Sequence, residues 1–470
     1  MTFRSYALAS IAALALVGCA AGPDYIAPLP PEPAMAGPFL SAEDGVTTPS
    51  PLPADWWRLY DDPALDGLVA DALAANTDIR QATARIARAR AGLRGAEAGR
   101  LPQSGVSAGG NYGRVSEGSV PPGADREGFS FDAGLSVSYE VDLFGRVARG
   151  VEAAEADLAS AQADADAVRV LVVAETTRAY ANAASAAARK QVADEIVALL
   201  DTSLGLVRRR QEAGLENGLA IARIETLRQQ RAAEIPAIIA ERQAALFALA
   251  TLTGRAPAQL PPIAGERSMA LEITSALPVG DGAALLARRP DIRAAERRLA
   301  ADTARIGVAT ADLYPRITLG GSVGATGASL GDLFSGGPFR FLLGPLIDWA
   351  FPNTEPTRAR IDAAEAGAEE SLAAFDGTVL TALQETETAL STYARALDRR
   401  QSLSAAQTAA DRAARITRAR QREGIIDSLE LLDAERTLAD TRAALAQQDG
   451  AISSAQIDVF LALGGGWSAG

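Results

Sequence analysis

The chain contains no histidine and a single cysteine, Cys19. Without histidine the usual general base, the commonest metal ligand and every triad built on an imidazole are excluded. One cysteine can form neither an intramolecular disulfide nor a thiolate metal cluster. Lysine occurs once, at Lys190, so almost all positive charge is arginine. Positive charge is itself in the minority. Lys and Arg number 45 against 58 Asp and Glu, a net charge of −13, which argues against nucleic acid as a partner. The acidic balance suits a surface or lumen that favours cations; it suits a plain solubilising surface equally well. No phosphate-loop or metal-ligand spacing is present, so the chain is not expected to be an enzyme or to carry a cofactor. Beyond the N-terminus no run of about 18 apolar residues occurs, so no membrane-crossing helix is expected. A bilayer crossing would then require a closed barrel.

What is present begins with a targeting segment. Arg4 supplies a positive start and Ala7 to Val17 a short apolar stretch. It ends in Leu16-Val17-Gly18-Cys19, which resembles a bacterial lipobox whose cysteine is lipidated after cleavage. An ordinary signal peptide with a chance cysteine is the other reading. Ala20 follows the cysteine, so the lipid points to the outer membrane. Gly22 to Pro53 is rich in proline and reads as an extended tether with no core of its own. Pro63 after Asp62 marks a helix start, and Trp56 and Trp57 pack that helix onto the body.

The chain is also an internal duplication. RARQREGIIDSLELLDAERTL (Arg418–Leu438) repeats RRRQEAGLENGLAIARIETLR (Arg208–Arg228), with Arg420 on Arg210, Gly424 on Gly214 and Glu435 on Glu225. Gly254 matches Gly464 at the same offset. Each copy opens with a helix, Asn76 to Arg100 or Asp291 to Leu313, stopped by a proline at Pro102 or Pro315. Strand signals follow at once. Phe129, Phe131, Ala133, Leu135, Val137, Tyr139 and Val141 alternate with small or polar residues, the period of a strand with one face to lipid and one to water. Val106 to Tyr112, Ile317 to Val323 and a segment from Phe339 supply three more. Known membrane barrels need about eight strands or more, so four would have to be shared between chains. Ordinary soluble hairpins are the alternative.

Two proline-free helices then run from about Arg146 to Arg210 and from about Thr357 to Arg422. At the standard rise each spans on the order of 100 Å. Each turns at a glycine and returns, to Gly254 and to Leu463-Gly464, with Pro236 expected to break or kink the first return. Arg255 to Arg289 links the copies, with a short helix near Asp281 to Arg288. The domains follow. Residues 1–18 are the lipoprotein signal peptide and 19–54 the lipidated tether. Residues 55–260 form the first repeat, 261–290 a linker or equatorial segment, and 291–470 the second repeat.

In order and spacing the sequence resembles the TolC-like outer-membrane factors, in particular the lipoproteins of the NodT type. The carriers are Asp55-Trp56-Trp57, Tyr139-Glu140-Val141-Asp142-Leu143-Phe144-Gly145-Arg146, Arg288-Arg289-Pro290-Asp291-Ile292, Asp312-Leu313-Tyr314-Pro315 and Ala462-Leu463-Gly464-Gly465-Gly466-Trp467. Trp349-Ala350 departs from the pattern, since members often carry a glycine there. The resemblance implies a mixed α and β, TolC-like fold: a trimeric outer-membrane β-barrel, four strands per chain, continuous with a long periplasmic α-helical barrel. It implies a passive duct of a tripartite efflux system, fed by an inner-membrane RND-type transporter through a periplasmic adaptor, or membrane fusion protein. An exit channel for a type I-like protein secretion system and a structural coiled-coil lipoprotein are the alternatives. Leu429 and Asp433 match the positions that close the resting tunnel; packing of Leu429 in its hairpin, with Asp433 paired to Arg436 or Arg223, is the other reading. Arg210, Gly214, Arg420 and Gly424 match the tip associated with adaptor docking, and helix capping explains them as well.

Overall fold

A computed structural model describes residues 20–28, 37–116, 125–334 and 339–467; the signal segment and Cys19 lie outside these. The first half contains β1 (Thr47–Thr48), α1 (Pro63–Ala75), α2 (Thr77–Ala98), β2 (Gln103–Arg114), β3 (Glu127–Val141), α3 (Arg146–Glu212) and α4 (Gly218–Leu252). The second contains β4 (Leu277–Pro278), α5 (Gly282–Arg288), α6 (Pro290–Ala311), β5 (Arg316–Gly327), β6 (Phe339–Asp348), α7 (Glu355–Arg422) and α8 (Ser428–Ala462). The duplicated order of helix, strand pair, long helix and return helix is therefore real. The chain nevertheless divides into two compact units that cut across the repeats. One takes residues 1–28, 85–162 and 294–375; the other takes 29–84, 163–293 and 376–470.

The first unit carries an antiparallel sheet in the order β2-β3-β5-β6. Val106, Leu135, Val323 and Phe341 fall in one row across it, and Gly105, Ser136, Ser322 and Leu342 in the next. Neighbouring residues of a strand point to opposite faces, so one face is apolar and the other largely polar. The apolar face is bare: Val106 is 84% and Phe341 75% exposed. Ion pairs brace the foot of this sheet. Glu140 accepts from Arg146 Nε at 2.8 Å and Nη2 at 2.5 Å. Asp312 faces Arg360 at 3.0 Å and Arg316 at 3.5 Å. Asp142 caps α3, accepting from the Val147 and Ala148 amides at 3.0 and 2.8 Å. Phe144 stacks on Tyr314 at 4.5 Å. The two family motifs, far apart in sequence, thus meet at one junction. Trp349, the departure from the pattern, donates its indole N–H to the Leu313 carbonyl at 3.0 Å.

The second unit is built around Trp56, fully buried and stacked on Phe460 at 4.5 Å. Asp62 caps α1, accepting from the Ala64 amide at 2.9 Å, and accepts also from the Tyr180 hydroxyl at 3.0 Å and Arg267 at 2.9 Å. Burial, then the Asp62 carboxylate, push the Tyr180 phenol above its ordinary range and keep it a donor.

Two expectations are corrected. Residues 37–54 are not a bare tether: β1 pairs in parallel with β4, and Phe39 and Leu52 are buried in the core of this unit. The prolines around β1 lack donors, but the Val46 and Thr48 carbonyls remain free and accept from the Leu277 and Val279 amides at 2.9 and 3.0 Å. Pro236 lies inside α4 without ending it. The lost backbone bond is offset where Ile238 is buried against Ala186 and Ala193. By length and composition α4 is apolar enough to cross a membrane. Its charges show how it is used instead. Glu241 pairs with Arg189 of α3 at 2.5 Å, and Arg242 donates to the Gly265 carbonyl.

Candidate functional site

Both long hairpins end in the same turn. After α3, Gly214 has φ +69°, the Leu215 amide donates to the Arg210 carbonyl at 2.8 Å and the Gly214 amide to Gln211 at 2.9 Å. After α7, Gly424 has φ +75°, with Ile425 to Arg420 at 3.0 Å and Gly424 to Gln421 at 3.1 Å. This doubly bonded end requires a left-handed residue, which glycine alone adopts without strain from a Cβ. The return helices start from matching caps. Asn217 accepts from the Leu219 and Ala220 amides at 3.0 and 3.2 Å, and Asp427 from Leu429 and Glu430 at 3.0 Å each. Arg210, Gly214, Arg420 and Gly424 are thus all parts of the turns. The Arg210 guanidinium also donates to the Gln421 carbonyl at 3.1 Å, tying one turn to the other. Arg420 is exposed.

In the first turn of each return helix lie Leu219 and Leu429, 55% and 54% exposed. They line a shallow cavity of about 120 Å³ together with Arg223 and Leu432. Asp433 is exposed and takes neither ion pair open to it: Arg436 faces Asp440 at 3.9 Å, and Arg223 makes none among the described residues. Leu429 is therefore not consumed by its own hairpin, and the Asp433 charge is not locally compensated.

Two features escape a reading of the sequence. Leu215 and Ile425, just past the glycines, are apolar and 66% and 58% exposed. The repeat offset pairs them, and that was the available signal. The other is Glu435, 2% exposed, which accepts from Arg418 Nε at 2.6 Å and Nη2 at 2.8 Å and from Ser203 at 3.2 Å. Its counterpart Glu225 faces Arg208 at 3.7 Å in the open. Near the first described residues, the Ala21 amide donates to the Phe144 carbonyl at 2.9 Å, Asp24 pairs with Arg149 at 2.5 Å and the Tyr25 hydroxyl donates to Glu296 at 2.6 Å.

A sheet with one bare apolar face suits lipid once its edges are paired, and helical hairpins of this length suit a periplasm. The class so defined is an outer-membrane channel subunit. The chain belongs to the outer membrane efflux protein family, which matches residues 68–255 and 283–465, one stretch in each repeat. It is 31% identical over 463 residues to outer membrane protein OprJ of Pseudomonas aeruginosa, covering 98% of this chain and 96% of that one. It is 30% identical over 465 residues to the cation efflux system protein CusC of Escherichia coli K12, covering 97% and 98%. The solved outer-membrane channel OprN matches with a TM-score of 0.89 and 35% identity, over 96% of this chain and 100% of that one. The fold is TolC-like, as its sequence resemblance implies, and the protein is an efflux channel component of the outer membrane that extends into the periplasm.

Proposed function

We propose that the chain works as a homotrimer, a passive exit duct without catalytic activity. An inner-membrane RND-type transporter supplies the energy, and a periplasmic adaptor joins transporter to duct. One observation carries this reading: a four-stranded sheet, apolar on one bare face, whose edges β2 and β6 are both open. Open edges in lipid cost several kcal/mol per unpaired backbone group, so copies must close on one another, and three supply about twelve strands.

The tips carry the traffic control. Asp433 and Leu429 lie four residues apart on α8 and face the same way. Threefold repetition turns them into a cation-attracting collar and an apolar constriction that close the resting tunnel. The turns at Arg210, Gly214, Arg420 and Gly424 dock the adaptor, with exposed Leu215 and Ile425 as their apolar contacts. Cys19 carries the lipid. Its support is the neighbouring segment, since residues 21–25 are held against Phe144, Arg149 and Glu296 at the foot of β3, where a bilayer surface would lie.

Single-channel recording of the purified lipoprotein in a planar bilayer tests the reading. Discrete, cation-preferring steps, small at rest, are expected. Folded, inserted protein that gives no steps would refute a duct.

A further inference from the structure

One cavity of the second unit plays no part in the turns or the tips. It has a volume of about 510 Å³ and opens between α3, α7 and α8, where α6 begins. Val170, Pro290, Ala389 and Leu461 give it apolar walls, and Glu385 and Asp458 stand at them. Helix geometry fixes which way it opens. Phe460 stacks on Trp56 in the core, while Asp458 and Ala462, two residues to either side on α8, point the opposite way and line the cavity. Phe39, Leu52, Leu271 and Leu277 cover the core side, so the cavity lies on the side of these helices that no other segment clads.

Its charge is not balanced. Arg289 is buried and donates to Asp291 at 2.7 Å, to Glu385 at 2.8 Å and to the Ala462 carbonyl at 2.8 Å. Arg178 faces Asp458 at 2.8 Å and Glu175 at 3.3 Å. Two guanidiniums thus serve four carboxylates, whose side chains keep 39–50% exposure. The first repeat has the same frame without this charge. With Asp78 aligned on Asp291, Asn76 stands for Arg289 and donates to the Leu252 carbonyl at 3.0 Å, as Arg289 does to Ala462. Ala248 stands for Asp458, and Arg178 for Thr388. Holding the helix end therefore requires neither the Asp458 carboxylate nor the negative excess. Among the described residues no three carboxylates converge as a metal site requires, so the excess does not suit a bare metal ion.

We propose that this cavity is a resting site on the inner wall of the duct for an organic cation with an apolar body. The inference rests on the duct reading above, in which the unclad side of these helices faces the lumen. The cationic group sits at Asp458 and Glu385, where negative charge is in excess, and the body lies on Val170, Ala389 and Leu461. The volume suits a molecule of drug size, and a mostly apolar wall with a few charged groups both holds and orients one. Half-exposed carboxylates hold a cation weakly, because solvent and salt screen them. Weak holding is what conduction requires, since a site along a conduit must fill and empty readily.

The test uses the full-length lipoprotein in a nonionic detergent, with ethidium as the organic cation. Its fluorescence anisotropy should rise with protein concentration and saturate. Asp458→Asn should weaken binding about fivefold, the effect of losing one half-exposed charge pair. Thr388→Trp, which fills the cavity from an exposed position, should weaken it further. In a planar bilayer ethidium should interrupt the wild-type current in brief blocks, which Asp458→Asn shortens about twofold or more. Channels that conduct while ethidium binds wild type and both variants alike overturn the site alone. Binding that depends on Asp458 but never blocks the current places the cavity away from the lumen and overturns its role as a resting site. Folded, inserted protein that gives no current steps overturns the duct reading itself, whatever ethidium binds.

Discussion

The first and second hairpins have the same skeleton and different interiors. Their turns share a left-handed glycine, the same two backbone bonds and an Asx cap two residues on from the turn. Yet α8 buries fourteen residues and α4 only five, so the second return helix lies inside the unit and the first on its surface. The same arginine–glutamate pair is correspondingly sealed at Arg418–Glu435 and open at Arg208–Glu225. The lesson is about which parts of a duplicated unit are free to diverge. Caps obey local rules of backbone geometry and persist in both copies. Side-chain burial depends on what each copy packs against, and that differs.

The sharpest way to break this comparison is to truncate both glutamates. Glu435→Ala leaves the Arg418 guanidinium half-sealed and unpaired, and should cost about 3–5 kcal/mol. Glu225→Ala removes an exposed pair and should stay within about 1 kcal/mol. Amide exchange across the tips of α7 and α8, compared with those of α3 and α4, reads both. Equal losses would mean that the hairpins are equivalent in energy as well as in backbone.

A smaller effect separates caps by their surroundings. Gly254 has φ +66°, and a Cβ there would sit 2.6 Å from the Ala75 carbonyl oxygen. Gly424 has φ +75° with open space around it. Gly254→Ala should therefore cost about 2–4 kcal/mol, from strain plus overlap. Gly424→Ala should cost about 1 kcal/mol, from strain alone. Thermal loss of helical circular dichroism would rank them, and the reverse order would show the tip turn to be held by contacts absent from the isolated chain.

These differences explain what could be read without a structure. The four strands were legible because a lipid-facing surface demands unbroken alternation, as in Phe129 to Val141. The long helices were legible because no proline interrupts them before the glycine turns. The β1–β4 pairing was not, since it uses backbone carbonyls between prolines and leaves no pattern in side chains. Nor was the burial of Glu435, because the offset that matches it to Glu225 carries identity and not environment. Leu429 and Asp433 were placed by resemblance. What the fold adds is that both stand exposed, and that Asp433 has no partner among the described residues.

The finest contrast lies between Asp433 and Arg223, which occupy the same position in the two repeats with opposite charge. Both are exposed, and Arg223 lines the cavity under the turns. If the second hairpin alone narrows the resting tunnel, only the carboxylate collar sets its ion preference. Asp433→Ala should then raise resting conductance and lower the cation-to-anion permeability ratio about twofold, while Arg223→Ala leaves both within error. The double variant should behave as Asp433→Ala does, because a charge outside the constriction cannot couple to it. Should Arg223→Ala instead produce the larger change, the constriction belongs to the first hairpin. The unequal burial of α4 and α8 would then distinguish outer from inner helices without saying which of them gates.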